Sequence, residues 1–172
     1  MTNSSVWVGS KQSELETRVL RASLPDSLHS RDPLPVERFA LQTEAVCKQF
    51  VKLQLESWRG VHRTGGLQYF SIFNPTAEMK AGCQLSCAAP VTVAEEERFG
   101  EEQSAVNVLS RSVKEEKGNY WLGVTNKASY FILDLGCPRS FAAVELVNTH
   151  SRWLRDFNTK DFRLAVQKDD IS

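Results

Sequence analysis

"SYFILDLGCPRSFAAVELVNTHSRWLRDFNTKDFRLAV", residues 129–166, holds three apolar runs, a Gly-Cys-Pro turn signal and one loop dense in polar and aromatic side chains. "YFILDLG" (130–136), "FAAVELVNT" (141–149) and "KDFRLAVQ" (160–167) are short and rich in Phe, Val, Ile and Leu. Runs of that length and composition, bounded by turn residues, are strand signals. Upstream, "ERFALQ" (37–42), "KQFVKLQLESW" (48–58) and "LQYFSIF" (67–73) read the same way. In "FVKLQLESW" the alternation places Val51, Leu53 and Leu55 on one face and Phe50, Lys52, Gln54 and Glu56 on the other. That pattern predicts a half-buried strand with one solvated side.

Between the runs stand "LPDS", "RDPLP", "RTGG", "FNPT" and "GCPRS", whose Pro and Gly set or permit turn dihedrals. Strands spaced about ten residues apart, with almost no helical periodicity, predict an all-β antiparallel sandwich or barrel. One helical turn is expected around Ser104–Leu109, inside the otherwise irregular, charged segment 93–118. Residues 74–92 lack periodicity and read as a linker between a front part, 1–73, and a back part, 93–172.

A chain of 172 residues suffices for one domain with a real core. Lys+Arg and Asp+Glu both number 21, so no net field draws nucleic acid or an anionic membrane. Residues 77–118 carry eight acidic and five basic side chains, a mildly acidic middle. No stretch approaches the roughly 20 apolar residues of a membrane span, and "MTNSSVWVGSKQS" has no apolar signal-peptide region. Four cysteines, Cys47, Cys83, Cys87 and Cys137, fit disulfides in an oxidising compartment, with three pairings open. Cys137, following Gly136 in the turn, is expected to be free or packed in that turn. Cys83-x-x-x-Cys87 is half of a zinc spacing. It has no Cys/His pair at matching distance in a chain with three His, so no metal is expected.

No catalytic constellation is present. G-x-S-x-G, H-E-x-x-H and a phosphate-cradling glycine loop are all missing, and "RTGGLQ" reads as a tight turn. Asp169-Asp170 and the run Glu95–Glu97 are expected to be solvated charges. The chain is thus expected not to be an enzyme.

The back part resembles the first half of a discoidin (coagulation factor 5/8 type C) domain, whose fold is the jelly-roll, galactose-binding-like sandwich. The resemblance rests on "AVNVLSRSVKEEKGNYWLG", "YFILDLG", "VELVNT" and "TKDFRLAVQKD", spread over 105–169. The front part is similar to the second half of such a domain. It carries "VWVGSKQSELETRVLRASLPD", "RFALQ", "CKQFVKLQLESWRG" and "GGLQYFSIF" in that role. The halves stand in reversed order, as in a window across two tandem repeats; a circular permutation is the other account. Either way the halves are expected to complement each other in one sandwich. The linker spans the gap at roughly 3.3 Å per residue.

The resemblance implies ligand binding at one end of the sandwich, where loops project. The loop 148–158, "NTHSRWLRDFN", supplies Asn148, His150, Arg152, Trp153 and Arg155. An aromatic platform with Arg, His and Asn donors suits a sugar. A second loop, 57–66, adds Arg59, His62 and Arg63, beside a Trp58 that the family packs. A family calcium loop maps to the segment before Trp121, but Ser110 stands where Asp is common. Calcium would fall to Asn107 and Glu116, and no cofactor is expected. Asp134 is expected to accept hydrogen bonds within the sheet. The implied function is a non-catalytic binding or adhesion module of an extracellular or cell-surface repeat protein, recognising a glycan or a cell-surface or matrix protein. Phospholipid is disfavoured, since only Trp153-Leu154 forms an apolar loop tip. A structural spacer or protein-contact repeat, and an accessory module of a carbohydrate-active enzyme, are the alternatives.

Overall fold

A computed structural model describes residues 16–26, 35–60, 63–75, 81–110, 120–149 and 157–167. Eleven strands account for most of them. They are β1 (Glu16–Ser23), β2 (Glu37–Ala40), β3 (Val46–Leu55), β4 (Trp58–Arg59), β5 (Gly66–Phe73), β6 (Thr92–Glu96), β7 (Trp121–Leu122), β8 (Tyr130–Phe141), β9 (Ala143–Asn148), β10 (Asn158–Thr159) and β11 (Asp161–Gln167). Two short 3-10 helices, Glu101–Gln103 and Ala105–Leu109, stand between β6 and β7, the second where a helical turn was expected. No described helix is long and apolar enough to cross a membrane.

The strands build an all-β antiparallel sandwich. One sheet runs β1-β11-β3-β8-β6 and the other β2-β9-β5-β7, with a two-stranded ribbon β10-β4 at one end. Apart from β6–β8, every strand pair joins a strand from 16–73 to one from 92–167. β1 and β3, for instance, never touch as neighbours, because β11 lies between them. Neither stretch of chain can close its backbone hydrogen bonds without the other.

The core lies between the two sheets. Val51, Leu53, Leu55, Phe131, Leu133, Phe162 and Leu164 from the first meet Leu67, Phe70, Val144 and Leu146 from the second. Phe131 is the hinge of this packing, edge-on to both Trp121 (centroids 4.8 Å apart) and Phe70 (6.0 Å). Phe39 and Phe162 make a further edge contact across the sheets. Such T-shaped pairs add about 0.5–1.5 kcal/mol each beyond area burial.

Six sequence expectations need correction, the last of them the run Glu95–Glu97. "GCPRS" is not a loop: Gly136–Ser140 lies inside β8, and the register against β3 shifts between Lys48 and Phe50. Gly136 takes φ +88° there, a conformation open to glycine. Cys137 is not free, being disulfide-bonded to Cys87, while Cys47 is bonded to Cys83 (Cα–Cα 5.9 and 5.8 Å). The Cys83–Cys87 stretch, read as linker, is thereby strapped onto β8. Gln84 donates from its N–H to Pro138 O (3.1 Å) and accepts from Ser140 N–H (2.9 Å). The first residues of the segment taken as irregular form β6, pairing with β8. Lys52 is not solvated: it is 3% exposed, 3.0 Å from the Glu16 carboxylate and over the Tyr130 ring. Glu16 also accepts from Arg163 at 2.9 Å, so the buried ammonium sits in a satisfied network.

The run Glu95–Glu97 is likewise engaged. Glu95 accepts from the Tyr130 hydroxyl. Glu96 accepts from Ser104 Oγ and from the Ala105 N–H (2.6 Å) that opens the second 3-10 helix. Glu97 pairs with Lys127. Asp134 matches its expectation, accepting from Gln49 Nε2 (3.0 Å) and the Gly136 N–H (2.9 Å).

A Cβ at Gly136 would meet Ala89 O at 2.7 Å as well as an unfavourable φ. Gly136→Ala is expected to destabilise by about 2 kcal/mol, lowering the melting temperature by roughly 4–8 °C. Calorimetry on the oxidised protein checks this; an unchanged melt would remove the strap contact from the account.

Candidate functional site: the loop rim

Register places many chain turns at one end. β1, β3, β6 and β9 finish there, and β5, β8 and β11 begin there. The described residues of 56–60, 63–66, 97–100, 123–129, 149 and 157–160 therefore converge on one rim.

Asn148 holds the base of the central loop. Its Nδ2 donates to Thr159 O (2.9 Å), and its Oδ1 accepts from the N–H groups of Thr149 (2.9 Å) and Thr159 (3.1 Å). Thr159 Oγ1 donates to Gly66 O at 2.7 Å, and Thr149 Oγ1 donates to Phe157 O. Asn148 is 4% exposed, and Thr149, Asn158 and Thr159 are buried with it. The two ends of the loop are thus pinned side by side. Gly66 allows the approach, since a Cβ there would lie 2.2 Å from Trp121 O.

Arg59 also faces inward. Its guanidinium donates to Asn158 Oδ1 (3.1 Å), Thr159 O (3.2 Å) and Leu24 O (2.9 Å), while β4 pairs with β10. Asn148 and Arg59 were expected to contact ligand; the structure uses both to shape the rim. Trp58 is half-buried in β4. His150, Arg152, Trp153 and Arg155, and His62 of the second loop, lie outside the described residues, as does Glu116. Asn107 spends its amide on Glu102 O (2.8 Å) and Tyr120 O (3.1 Å), tying the second 3-10 helix to β7. Among the described residues no group of three or more His, Cys, Asp or Glu could hold a metal.

What the described rim presents is aromatic and cationic. Phe99 is 57% exposed and packs edge-on against Phe157, 6.1 Å between centroids, where the pinned loop returns. Its backbone N–H donates to Leu122 O (2.9 Å), so the ring stands on a fixed base. Beside it Lys127 pairs with Glu97, whose other carboxylate oxygen, Oε1, is buried and has no partner among the described residues. Trp121 Nε1 donates to Glu97 O at 2.9 Å, linking this corner to the core. Arg63 and Asn126 both take left-handed backbone (φ 54° and 60°) and are joined by Asn126 N–H to Arg63 O at 2.8 Å. Phe99, Phe157, Asn126 and Lys127 were not singled out from sequence. The one available signal was Phe99 itself, an aromatic alone in the charged run "EEERFGEE".

The anchoring continues under the rim at Asp161, which accepts from the hydroxyls of Ser23 and Ser57 (2.6 Å to Ser57). Those two bonds hold its carboxyl below the usual carboxylate range, with Lys160 and Arg21 helping. A cavity of about 300 Å³ opens at the opposite end between β1, β3 and β11; its described lining, Thr17, Val19, Glu44 and Lys48 among it, contains no aromatic ring.

No family model, curated protein or solved structure matches this chain. The fold and the rim define an antiparallel β-sandwich with a built-up loop end.

Two outcomes are expected from this geometry. Asn148→Ala leaves the buried N–H groups of Thr149 and Thr159 without their acceptor, and should cost about 2–4 kcal/mol in denaturant unfolding. Because the Asp161 pKa is depressed in the folded state, its stabilisation is present above the unfolded carboxylate value near 3.8 and is lost as pH falls through the lower folded value. Melting temperature followed from pH 5 to pH 2 should fall less steeply in Asp161→Asn than in the parent.

Proposed function

We propose that the chain is a non-catalytic ligand-binding module that recognises carbohydrate, or a glycosylated cell-surface or matrix protein, through its loop rim. The observation that carries this reading is Phe99, exposed yet held by Phe157 and by the Leu122 hydrogen bond at the mouth of the pinned loop. A large ring fixed at the surface is the platform that the apolar face of a pyranose stacks on. Lys127, Asn126 and Arg63 supply hydrogen-bonding groups around it. The sequence adds His150, Arg152, Trp153 and Arg155 on the loop whose two ends are pinned beside this platform.

The resemblance to discoidin domains supports the same end of the sandwich as the binding face. Two disulfides support an oxidising, extracellular or cell-surface setting, since such bonds are rare where thiols are kept reduced. The balanced charge gives no support to nucleic acid or anionic lipid as partner.

A glycan array probed with the purified, oxidised chain tests the reading. A sugar hit should weaken about tenfold in Phe99→Ala, and further in the His150→Ala/Trp153→Ala double variant, with melting curves unchanged. A well-folded protein that binds no glycan would shift the reading to a structural spacer or protein-contact repeat.

A further inference from the structure

β5 pairs with β7 only at Gly66 and Leu67, so beyond Leu67 that edge of the second sheet is covered by the Ala105–Leu109 helix instead of a strand. Under this cover lies a cavity of about 80 Å³, far from the rim along β5 and β8. Phe70, Ile72, Leu133, Leu135 and Leu109 make its walls, and among the described residues Arg139 is the one charged side chain lining it.

Arg139 is anchored but incompletely satisfied. Its Nη2 donates to Leu85 O (3.1 Å) in the disulfide-bound strap. Its Nε is shielded from solvent and has no hydrogen-bond partner among the described residues. No carboxylate among the described residues is paired with it, although other arginines and lysines there form ion pairs. Burial of the guanidinium lowers its pKa, but an arginine remains protonated at neutral pH. A shielded donor left unpaired against apolar walls is costly, and an anion brought to it would remove that cost.

We propose that this cavity binds a small monocarboxylate with a short apolar tail. The carboxylate takes the Arg139 Nε–H and a neighbouring guanidinium N–H in the two-point geometry that carboxylates and guanidinium share. The tail replaces water against Phe70, Ile72, Leu133 and Leu135. By the measure in which one water needs about 10–15 Å³, the cavity holds about six. That suits a tail of a few carbons and is too small for a sugar ring, so this site is separate from the rim and does not rest on the carbohydrate reading. An inorganic anion would leave the apolar walls wet, and a neutral alcohol lacks the charge and the second acceptor that the guanidinium fork matches.

The test uses butyrate, 1-butanol and sulfate, titrated into the full oxidised chain, with the Arg139 Nε–Hε resonance observed by NMR. Butyrate is expected to shift that resonance saturably and to raise the melting temperature, with 1-butanol and sulfate giving neither effect. Arg139→Met should weaken butyrate binding at least tenfold, read by calorimetry. Leu109→Trp, which fills the cavity and keeps the guanidinium, should do the same, and covers the case in which Arg139→Met fails to fold. Phe99→Ala should leave the butyrate response intact. The proposal is overturned by the absence of a saturable butyrate response, by a response that survives both cavity variants, or by equal binding of sulfate.

Discussion

Between Val46–Leu55 and Tyr130–Phe141 runs the longest ladder among the described residues, with partners from Val46↔Phe141 at one end to Gln54↔Tyr130 at the other. It joins a strand from early in the chain to one from late in it, and the rest of the first sheet is laid against its two sides. β11 adds to β3, β1 adds to β11, and β6 adds to β8. The inward residues of the same two strands, Val51, Leu53, Leu55, Phe131, Leu133 and Leu135, form the floor on which the second sheet packs. Because the pairing is so distant in sequence, its loop-closure entropy must be met before other contacts can reward it. The two disulfides act on this junction. Cys47 sits in β3 and Cys137 in β8, and each is tied to the strap between them in sequence. In the loop-entropy account, cross-links of this span remove about 4 kcal/mol each from the unfolded chain's advantage.

From that junction the rim follows mechanically. When antiparallel strands from two chain segments alternate across both sheets, their turns gather at the two ends, and here one end collects most of them. Asn148, Thr159 and Arg59 convert this crossing into a rigid frame. They spend buried hydrogen bonds that a freely moving loop would give to water. The frame leaves Phe99, Lys127 and Asn126 facing outward on backbone that is fixed by hydrogen bonds to Leu122 and Arg63. Preorganisation of this kind lowers the ordering entropy that a ligand would otherwise meet on binding. The opposite flank has a different construction. The shortness of β7 leaves β5 covered by a helix, and a helix lying on a strand edge does not fill space as a paired strand does. The small cavity at Arg139 is the consequence.

The outer face of the first sheet shows how far side-chain pairing can override simple alternation. Lys52 occupies the position that a two-residue period assigns to solvent, and it is buried all the same. Its charge is met by Glu16 and by the face of the Tyr130 ring. Arg163 shares Glu16 and also bonds Gln54 (2.6 Å to its Nη2), so the ammonium, carboxylate and guanidinium satisfy one another. Removing one member would leave buried charge uncompensated, whereas the intact set is close to neutral in stability. The face is thus specific in its partners without being a large source of stability.

β6 lay hidden in a charged run, but β2, β3, β5, β8, β9 and β11 were legible in the sequence, because short apolar runs such as "FVKLQLESW" and "YFILDLG" carry their secondary structure locally. So was the single turn of helix before Leu109, where Ser104 accepts from the Val106 N–H at its start. Tertiary structure decided what no local pattern encodes. "GCPRS" looks like a turn, yet β3 and the strap on either side of it supply the pairing that keeps Gly136–Ser140 extended. Four cysteines at their spacings admitted three pairings, and only the register of β3 against β8 brings Cys47 to Cys83 and Cys137 to Cys87. Asn148 and Arg59 had the right chemistry for a ligand, but chain crossing turned their hydrogen-bonding groups inward. Phe99, an isolated aromatic in a charged run, was turned outward by the same crossing. Residue type sets what a side chain can do; which neighbours compete for its hydrogen bonds, and so what remains for a ligand, is fixed only when distant strands meet.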